Sequence, residues 1–443
     1  QNLYLQDNYI HTVSANTFNA LGQLTTLNLQ NNNMTMLPAN AFNGLTSLQN
    51  LNINNNNMTR LLSDVFQGLG NLQTLEMQNS KVQNLPPNTF SSLQNLRTLH
   101  LHQNGIEILV TDTFNGLGQL TTLMLQNGEL DFIEPGAFNG LQSLQTLTLN
   151  SNSLQNITTG AFNGLPALQN LQLQENQIKI IQADSFTQNQ NLQTLNLAHN
   201  TLTSLPSNIF SQPSSLTNLY LNDNQLTILS SSQFSGLSNL QNLHLQDNFI
   251  HTVSANAFNG LGQLTTLNLQ NNNVAMLPAN AFNGLTSLQN LNINNNSLTR
   301  LLSDVFHGLG NLQTLQMQNS KVHYLPPNTF SSLQNLRTLQ LDQNDIKILV
   351  TDTFNGLGQL TTLMLQNIKL DFIEPGAFNG LQSLQTLTLN SNSLQNITTG
   401  AFNGLPALQN LQLQENQIKI IQTNSFTQNQ NLQTLNLAHS TIQ

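Results

Sequence analysis

One spacing governs this chain. Leu3, Leu27, Leu51, Leu75, Leu99 and Leu123 lie 24 residues apart, and the series runs unbroken through Leu219 and Leu243 to Leu435. A second lattice of Phe keeps the same step, from Phe18, Phe42 and Phe66 to Phe426, without a gap. Only Phe132, Phe249 and Phe372 fall outside it. A fixed period of this length rules out a set of independent globular domains, which 443 residues would otherwise suggest. Each unit is one supersecondary coil that cannot bury its own apolar face, so neighbouring coils must stack to close a core.

Within a unit, Leu24-Thr25-Thr26-Leu27-Asn28-Leu29-Gln30-Asn31-Asn32-Asn33-Met34 shows the logic. Leu27 and Leu29 alternate with polar residues, the period-two signature of a strand with one buried face. Met34 and Leu37 turn inward, and Phe42, Leu45 and Leu48 carry the return limb. The run matches LxxLxLxxNxL and so resembles the leucine-rich-repeat family. The limb Ala41-Phe42-Asn43-Gly44-Leu45 is similar to the extracellular repeats of Toll-like receptors, small proteoglycans and lamprey variable receptors. The resemblance covers residues 1–443 and implies a right-handed solenoid of about 18 units, α/β in type. It would carry a long parallel sheet on the concave face and mostly irregular or 3-10 return limbs.

A longer repeat overlies the short one. Residues 1–203 return as 241–443, with 23 differences among the 203 aligned positions. The expected organisation is therefore one continuous solenoid, with a ten-unit block over 1–240 and a truncated second block over 241–443. The chain opens at Gln1 without a leader and shows no cap at either end, which reads as a mature form or fragment, or as ends that stack head to tail.

Composition narrows the partners. Charged residues are only 7% of the chain, against about 25% in ordinary soluble proteins. Asn, Gln, Ser and Thr wet the surface instead. The net charge of −9, without a basic patch, argues against nucleic acid. No apolar run approaches the roughly 20 residues of a spanning helix, so no membrane insertion is expected. With zero Cys, disulfides and thiolate metal sites are excluded.

The resemblance also implies where a ligand would sit. The exposed strand positions read Thr26, Asn28, Gln30; Asn50, Asn52, Asn54; Thr146, Thr148, Asn150; and Asn170, Gln172, Gln174. This face is nearly all amide and hydroxyl, with Tyr4 and Tyr220 as its aromatics. A solvated sheet with stacked amides is the plain reading, and a face for glycans or another copy of the chain the sharper one. Asn8, Asn32, Asn56, Asn104, Asn152, Asn176 and Asn200 form the column that the family places inside the turn to satisfy buried backbone groups. Ser80, Gly128, Ser320, Ile368 and Ser440 interrupt it, and looser stacking is expected at Gly128 and Ile368.

Glu76, His100 and His102 sit close enough in register to suggest a metal cluster, but the second copy carries Gln316, Gln340 and Asp342, which favours a chance pair of exposed His. Five Asn-x-Ser/Thr sites, at Asn33, Asn57, Asn156, Asn295 and Asn396, are candidate glycosylation acceptors. Charge swaps after the strand, Glu107 to Lys347, Glu129 to Lys369 and Gly105 to Asp345, suggest a solvated edge or pairing between neighbouring filaments. Gly116-Leu117-Gly118 belongs to the return limb and lacks the strand–loop–helix setting of a nucleotide loop. No catalytic constellation or cofactor site emerges.

The leading expectation is an extracellular, non-enzymatic structural scaffold that assembles head to tail into a fibre, sheath or matrix. Its partners would be other copies of itself or matrix proteins, with glycans as a further class. A ligand-recognition ectodomain is the alternative, and an ice-binding surface a minor one.

Overall fold

In the computed structural model the described residues are 1–207, 209–210, 214–231 and 233–442. They contain strands and turns and no helix of any kind. The molecule divides into two compact units, residues 1–220 and 221–443.

Among the described residues the first unit carries ten three-residue strands on one face, from Asn2–Tyr4, Thr26–Asn28 and Asn50–Asn52 to Asn218–Tyr220. All pair in parallel with an offset of one period: Leu3 lies opposite Leu27, and Leu27 opposite Leu51. The second unit repeats the arrangement with nine strands, from Asn242–His244 to Thr434–Asn436. The 24-residue lattice therefore dictates the register directly, because every lattice Leu meets the next.

The two limbs of the coil meet in the core. Leu27, Leu29, Met34, Phe42 and Leu48 have no exposed surface, and Leu37 and Leu45 almost none. Burial of each such side chain contributes about 1.5–3 kcal/mol as an upper estimate. On the return limb the Phe rings form offset stacks. Their centroids are 5.7–6.3 Å apart from Phe18 to Phe186 and 5.5–6.3 Å apart from Phe234 to Phe426, with planes within 15°. Strands repeat at about 4.8 Å. Because the Phe side is spaced more widely than the strand side, successive coils splay, and the strand face is concave within each unit.

The Asn-rich composition has a backbone cause. Three residues past the end of each of these strands, one residue adopts a left-handed conformation: Asp7 (φ 60°), Asn31 (54°), Asn55 (54°), Asn79 (50°), and so on to His439 (56°). Asn and Asp tolerate this region better than other L-residues. Gly fills a second such position on the return limb, as at Gly44 (φ 88°), where a Cβ would lie 2.6 Å from the Asn19 backbone.

The return limbs are turns, the irregular one of the two forms expected for them. One detail was not expected. A second set of two-residue strands appears beyond the turn, pairing Ile108–Leu109 with Phe132–Ile133, Asn156–Ile157 with Ile180–Ile181, and Ile348–Leu349 with Phe372–Ile373. The β-branched or aromatic residues of these pairs favour extended backbone.

The asparagine column shows how the coils are tied. Asn56 Nδ2 donates to Ile53 O at 3.0 Å in its own coil and to Leu29 O at 3.2 Å in the coil before, while Oδ1 accepts Met34 N–H at 3.1 Å. Asn32, Asn104, Asn152, Asn176 and Asn200 repeat the pattern. Asn8, in the first coil, donates only to Leu5 O and Gln6 O. A carbonyl such as Leu149 O thus receives two donors, from Asn152 and from Asn176, both at 3.0 Å.

This redundancy corrects the expectation of loose stacking at Gly128 and Ile368. Strand register is unchanged there, and the flanking Phe centroids stay at 5.8 Å and 5.9 Å. Asn152 of the following coil still serves Leu125 O at 2.9 Å. At the second site Asn392 Oδ1 accepts both Ile368 N–H and Leu370 N–H at 3.0 Å, and Ile368 itself packs into the core with no exposed surface.

Candidate functional site

The concave faces of the two units present strand side chains held by one another. Asn52 Nδ2 donates to Gln30 Oε1 (3.3 Å) and to Glu76 Oε2 (3.1 Å). Asn28 Oδ1 accepts the Gln30 N–H at 3.0 Å. Further along, Thr148 Oγ1 donates to Gln126 Oε1 at 2.5 Å, and Gln172 joins Asn170 Oδ1 to Asn196 Nδ2 at 2.5 and 3.1 Å. Such mutual bonding lowers the entropy cost of ordering these groups around a ligand. Asn50 is exposed, and Thr26, Thr146, Asn150 and Gln174 are half-buried on the same faces.

Asn54 is the exception. It was expected among the exposed positions, yet it is 3% exposed. Its Nδ2 donates to Glu76 Oε2 at 2.9 Å, and its Oδ1 accepts the Gln78 N–H at 2.9 Å. Its counterpart Asn294, beside Gln316 in the second unit, is 9% exposed, so burial at this position does not depend on the carboxylate.

The same bonds bear on the metal cluster. Register places Glu76 opposite His100, and the His100 and His102 rings meet edge to face at 5.8 Å. However, among the described residues no three His, Asp or Glu side chains group closely enough to hold an ion. The Glu76 carboxylate is engaged by two amides instead. His102 is held below the usual imidazole range, first by burial and second by His100, with Glu76 opposing. In the second unit burial raises the Asp342 carboxyl, which occupies the equivalent position.

The model for BspA-type leucine-rich repeat regions matches residues 11–139, 155–277, 203–337 and 251–373, well over half of the chain. The chain belongs to the leucine-rich-repeat family. A second leucine-rich-repeat model matches residues 118–178 and 358–418. Among solved structures, the Drosophila Toll–Spatzle complex aligns with a TM-score of 0.76 at 23% identity, covering 95% of this chain and 58% of that one. The repeat array therefore spans little more than half the length of that Toll chain. A Leptospira interrogans leucine-rich-repeat protein aligns at 28% identity and a TM-score of 0.59, covering 88% of this chain and 90% of its own. The TLR13–ssRNA13 complex aligns at 22% identity and a TM-score of 0.62, over 97% and 83% of the two chains. No curated protein matches the sequence.

Among the described residues, no helix of this family member is long and apolar enough to cross a membrane. Its five Asn-x-Ser/Thr acceptors fall into two groups. Asn33, Asn156 and Asn396 are exposed, whereas Asn57 and Asn295 are half-buried. Asn295 is also tied on both sides, donating to Asn271 Oδ1 at 2.6 Å and accepting from Asn319 Nδ2 at 2.7 Å. Two of the three charge swaps pair inside the chain: Lys369 Nζ lies 2.5 Å from Asp345 Oδ1.

Two features escaped the reading of the sequence. One is a column of exposed apolar side chains on the short strands, including Ile108, Phe132, Ile180, Ile348 and Phe372. The other is a polar cleft at the edge where the chain enters the strands, in each unit. Folding the sequence into 24-residue columns would have exposed both.

Proposed function

We propose that the chain is an extracellular, non-enzymatic leucine-rich-repeat scaffold that recognises a ligand across its concave strand faces. The observation that carries this reading is the hydrogen-bonded mesh of Asn52, Gln30, Thr148, Asn170 and Gln172, which fixes polar side chains before any ligand arrives. The Toll–Spatzle complex, a similar fold seen with its protein ligand, adds support. On this reading Asn33, Asn156 and Asn396 are the glycan acceptors, and Asn57 and Asn295 stay unmodified.

The absence of native Cys makes the test clean. A cysteine introduced as Thr148→Cys or Gln172→Cys and coupled to a maleimide polymer should abolish capture of ligand from the protein's own extracellular milieu. The same polymer on Gln155→Cys should not. Equal capture by all three would sink the concave reading.

A second reading is favoured by a specific observation. Tyr324, Ile348 and Phe372 lie one period apart and are each 43–47% exposed, a continuous apolar strip in the second unit. With the ten-unit duplication, this supports self-association into a fibre, sheath or matrix. Sedimentation and electron microscopy over a range of concentrations separate the two. Single particles at every concentration favour recognition, and filaments favour assembly.

A further inference from the structure

On the edge where the chain enters the concave strands, the residue before each strand is Thr, Gln or Arg. The Thr residues turn back on the fold: Thr25 Oγ1 donates to Gln1 O, Thr121 Oγ1 to Arg97 O, and Thr361 Oγ1 to Arg337 O, all at 3.0 Å. Between Thr25 and Thr121 stand Gln49, Gln73 and Arg97. Their backbones are fixed by the ladder, with Gln73 N–H to Gln49 O and Arg97 N–H to Gln73 O at 2.8 Å, while their side chains form no hydrogen bond among the described residues.

These three, with Ser47, Asn71, Asn95 and Gln119, line an open polar cleft of about 470 Å³. Asn71 and Asn95 are pinned by bonds from Nδ2 to Thr46 O (2.8 Å) and Gly70 O (2.7 Å), which leaves each Oδ1 as a free acceptor. The second unit repeats the cleft at about 350 Å³, with Gln289, Gln313 and Arg337 in the equivalent places. Neither Arg belongs to an ion pair among the described residues. Arg97 and Arg337 are also the only charged residues in their column, on a chain of net charge −9.

We propose that each cleft binds an anionic polysaccharide, the guanidinium of Arg97 or Arg337 pairing with a sugar carboxylate or sulfate and the Gln and Asn amides with its hydroxyls. The planar guanidinium fork matches either anion. Amides supply donor and acceptor side by side, as vicinal hydroxyls require. A protein partner is disfavoured because the cleft has none of the apolar or aromatic anchors that dominate protein interfaces. The volume lies within the range of about 300–1,000 Å³ typical of small-ligand sites.

The fold supplies its own control. Gln145, Gln169 and Gln193 form the next run on the same edge, bounded by Thr121 and by Thr217, whose Oγ1 donates to Gln193 O at 3.0 Å, and this run has no Arg. The test measures binding of immobilised polygalacturonate, dextran sulfate and plain dextran to the full chain in about 150 mM salt, where diffuse charge is largely screened. Binding to one or both anionic polymers and not to plain dextran is expected; the polymer preferred tells carboxylate from sulfate. R97Q/R337Q should bind at least tenfold more weakly, R97K/R337K should fall between, and Q193R should add a site. R60Q/R300Q, which removes the other two arginines, should bind as the parent does. Failure of the parent to bind either polyanion, undiminished binding by R97Q/R337Q, or equal loss in R60Q/R300Q would overturn the proposal. All of these side chains are exposed, so circular dichroism should show each variant folded.

Discussion

Glu76, His100 and His102 in the first unit correspond to Gln316, Gln340 and Asp342 in the second. The backbone does not register the change: Glu76 faces His100 as Gln316 faces Gln340. The chemistry changes completely. In the first unit a carboxylate gathers Asn52 and Asn54. In the second, Gln316 Nε2 donates to Gln340 Oε1 at 3.1 Å, and Asn294 Oδ1 is buried without a donor. In this fold the lattice residues build the coil and the strand-face residues choose what the coil does, so either set can vary without disturbing the other.

The strongest test of that independence strikes the lattice. Phe138→Ala and Phe378→Ala remove fully buried rings whose stacked neighbours lie at 5.8 and 6.2 Å in one unit and 5.9 and 6.1 Å in the other. Each should cost about 3–5 kcal/mol in denaturant unfolding, by nearly the same amount. A difference above roughly 1 kcal/mol would show that face chemistry reaches the core, since distant sites normally add within about 0.5 kcal/mol.

Next come the column asparagines, where the units should part. Asn56→Ala leaves Leu29 O bonded to Asn32 and Ile53 O bonded to Ser80 Oγ, and strands the Met34 N–H. Asn152→Ala strands Leu125 O, because Gly128 offers no side chain, and also Leu130 N–H. Asn392→Ala strands Leu365 O and two N–H groups, those of Ile368 and Leu370. At about 1–3 kcal/mol per orphaned group, the losses should rank Asn392, then Asn152, then Asn56. Hydrogen exchange at residues 368 and 370 reads the order locally.

These asparagines also mark how far the sequence could be read. Register, core and column follow from residue type and period alone, because each depends on one position repeated 24 residues later. The redundancy at Gly128 was not legible, since it depends on one amide reaching two coils at once. The fate of Asn54 was hidden too. Alternation assigns it to the exposed face, yet the position is buried in both units, at Asn54 beside Glu76 and at Asn294 beside Gln316. The Arg97 cleft is defined by which side chains remain unbonded, which no pattern of apolar and polar residues records.

Titration should divide the two faces by sign. His102 titrates below its unfolded value of about 6.5, so the unfolded chain takes up the proton first. Its contribution to stability is complete above that value and is lost as pH falls toward the folded pKa. Asp342 titrates above its unfolded value, so its contribution is complete below the unfolded pKa and is lost as pH rises through the folded one. Acidification from neutrality should therefore loosen exchange near residue 102 and tighten it near residue 342. His102→Asp should reverse the first trend, and parallel behaviour of the two faces in the unmodified chain would break the comparison.

The smallest effect belongs to the Asp345–Lys369 pair, which replaces Gly105 and Glu129 of the first unit. Both partners are substantially exposed, at 39% and 67%. Solvent screening and the entropy of two free side chains hold such pairs to about 0–1 kcal/mol despite the short distance. A cycle of Asp345→Ala, Lys369→Ala and the double variant should give a coupling within that range, and it should shrink as salt is raised toward about 1 M, where the Debye length is only about 3 Å. A coupling that survived high salt would mean that the swap orders the turn beside Ile368 as well as neutralising charge.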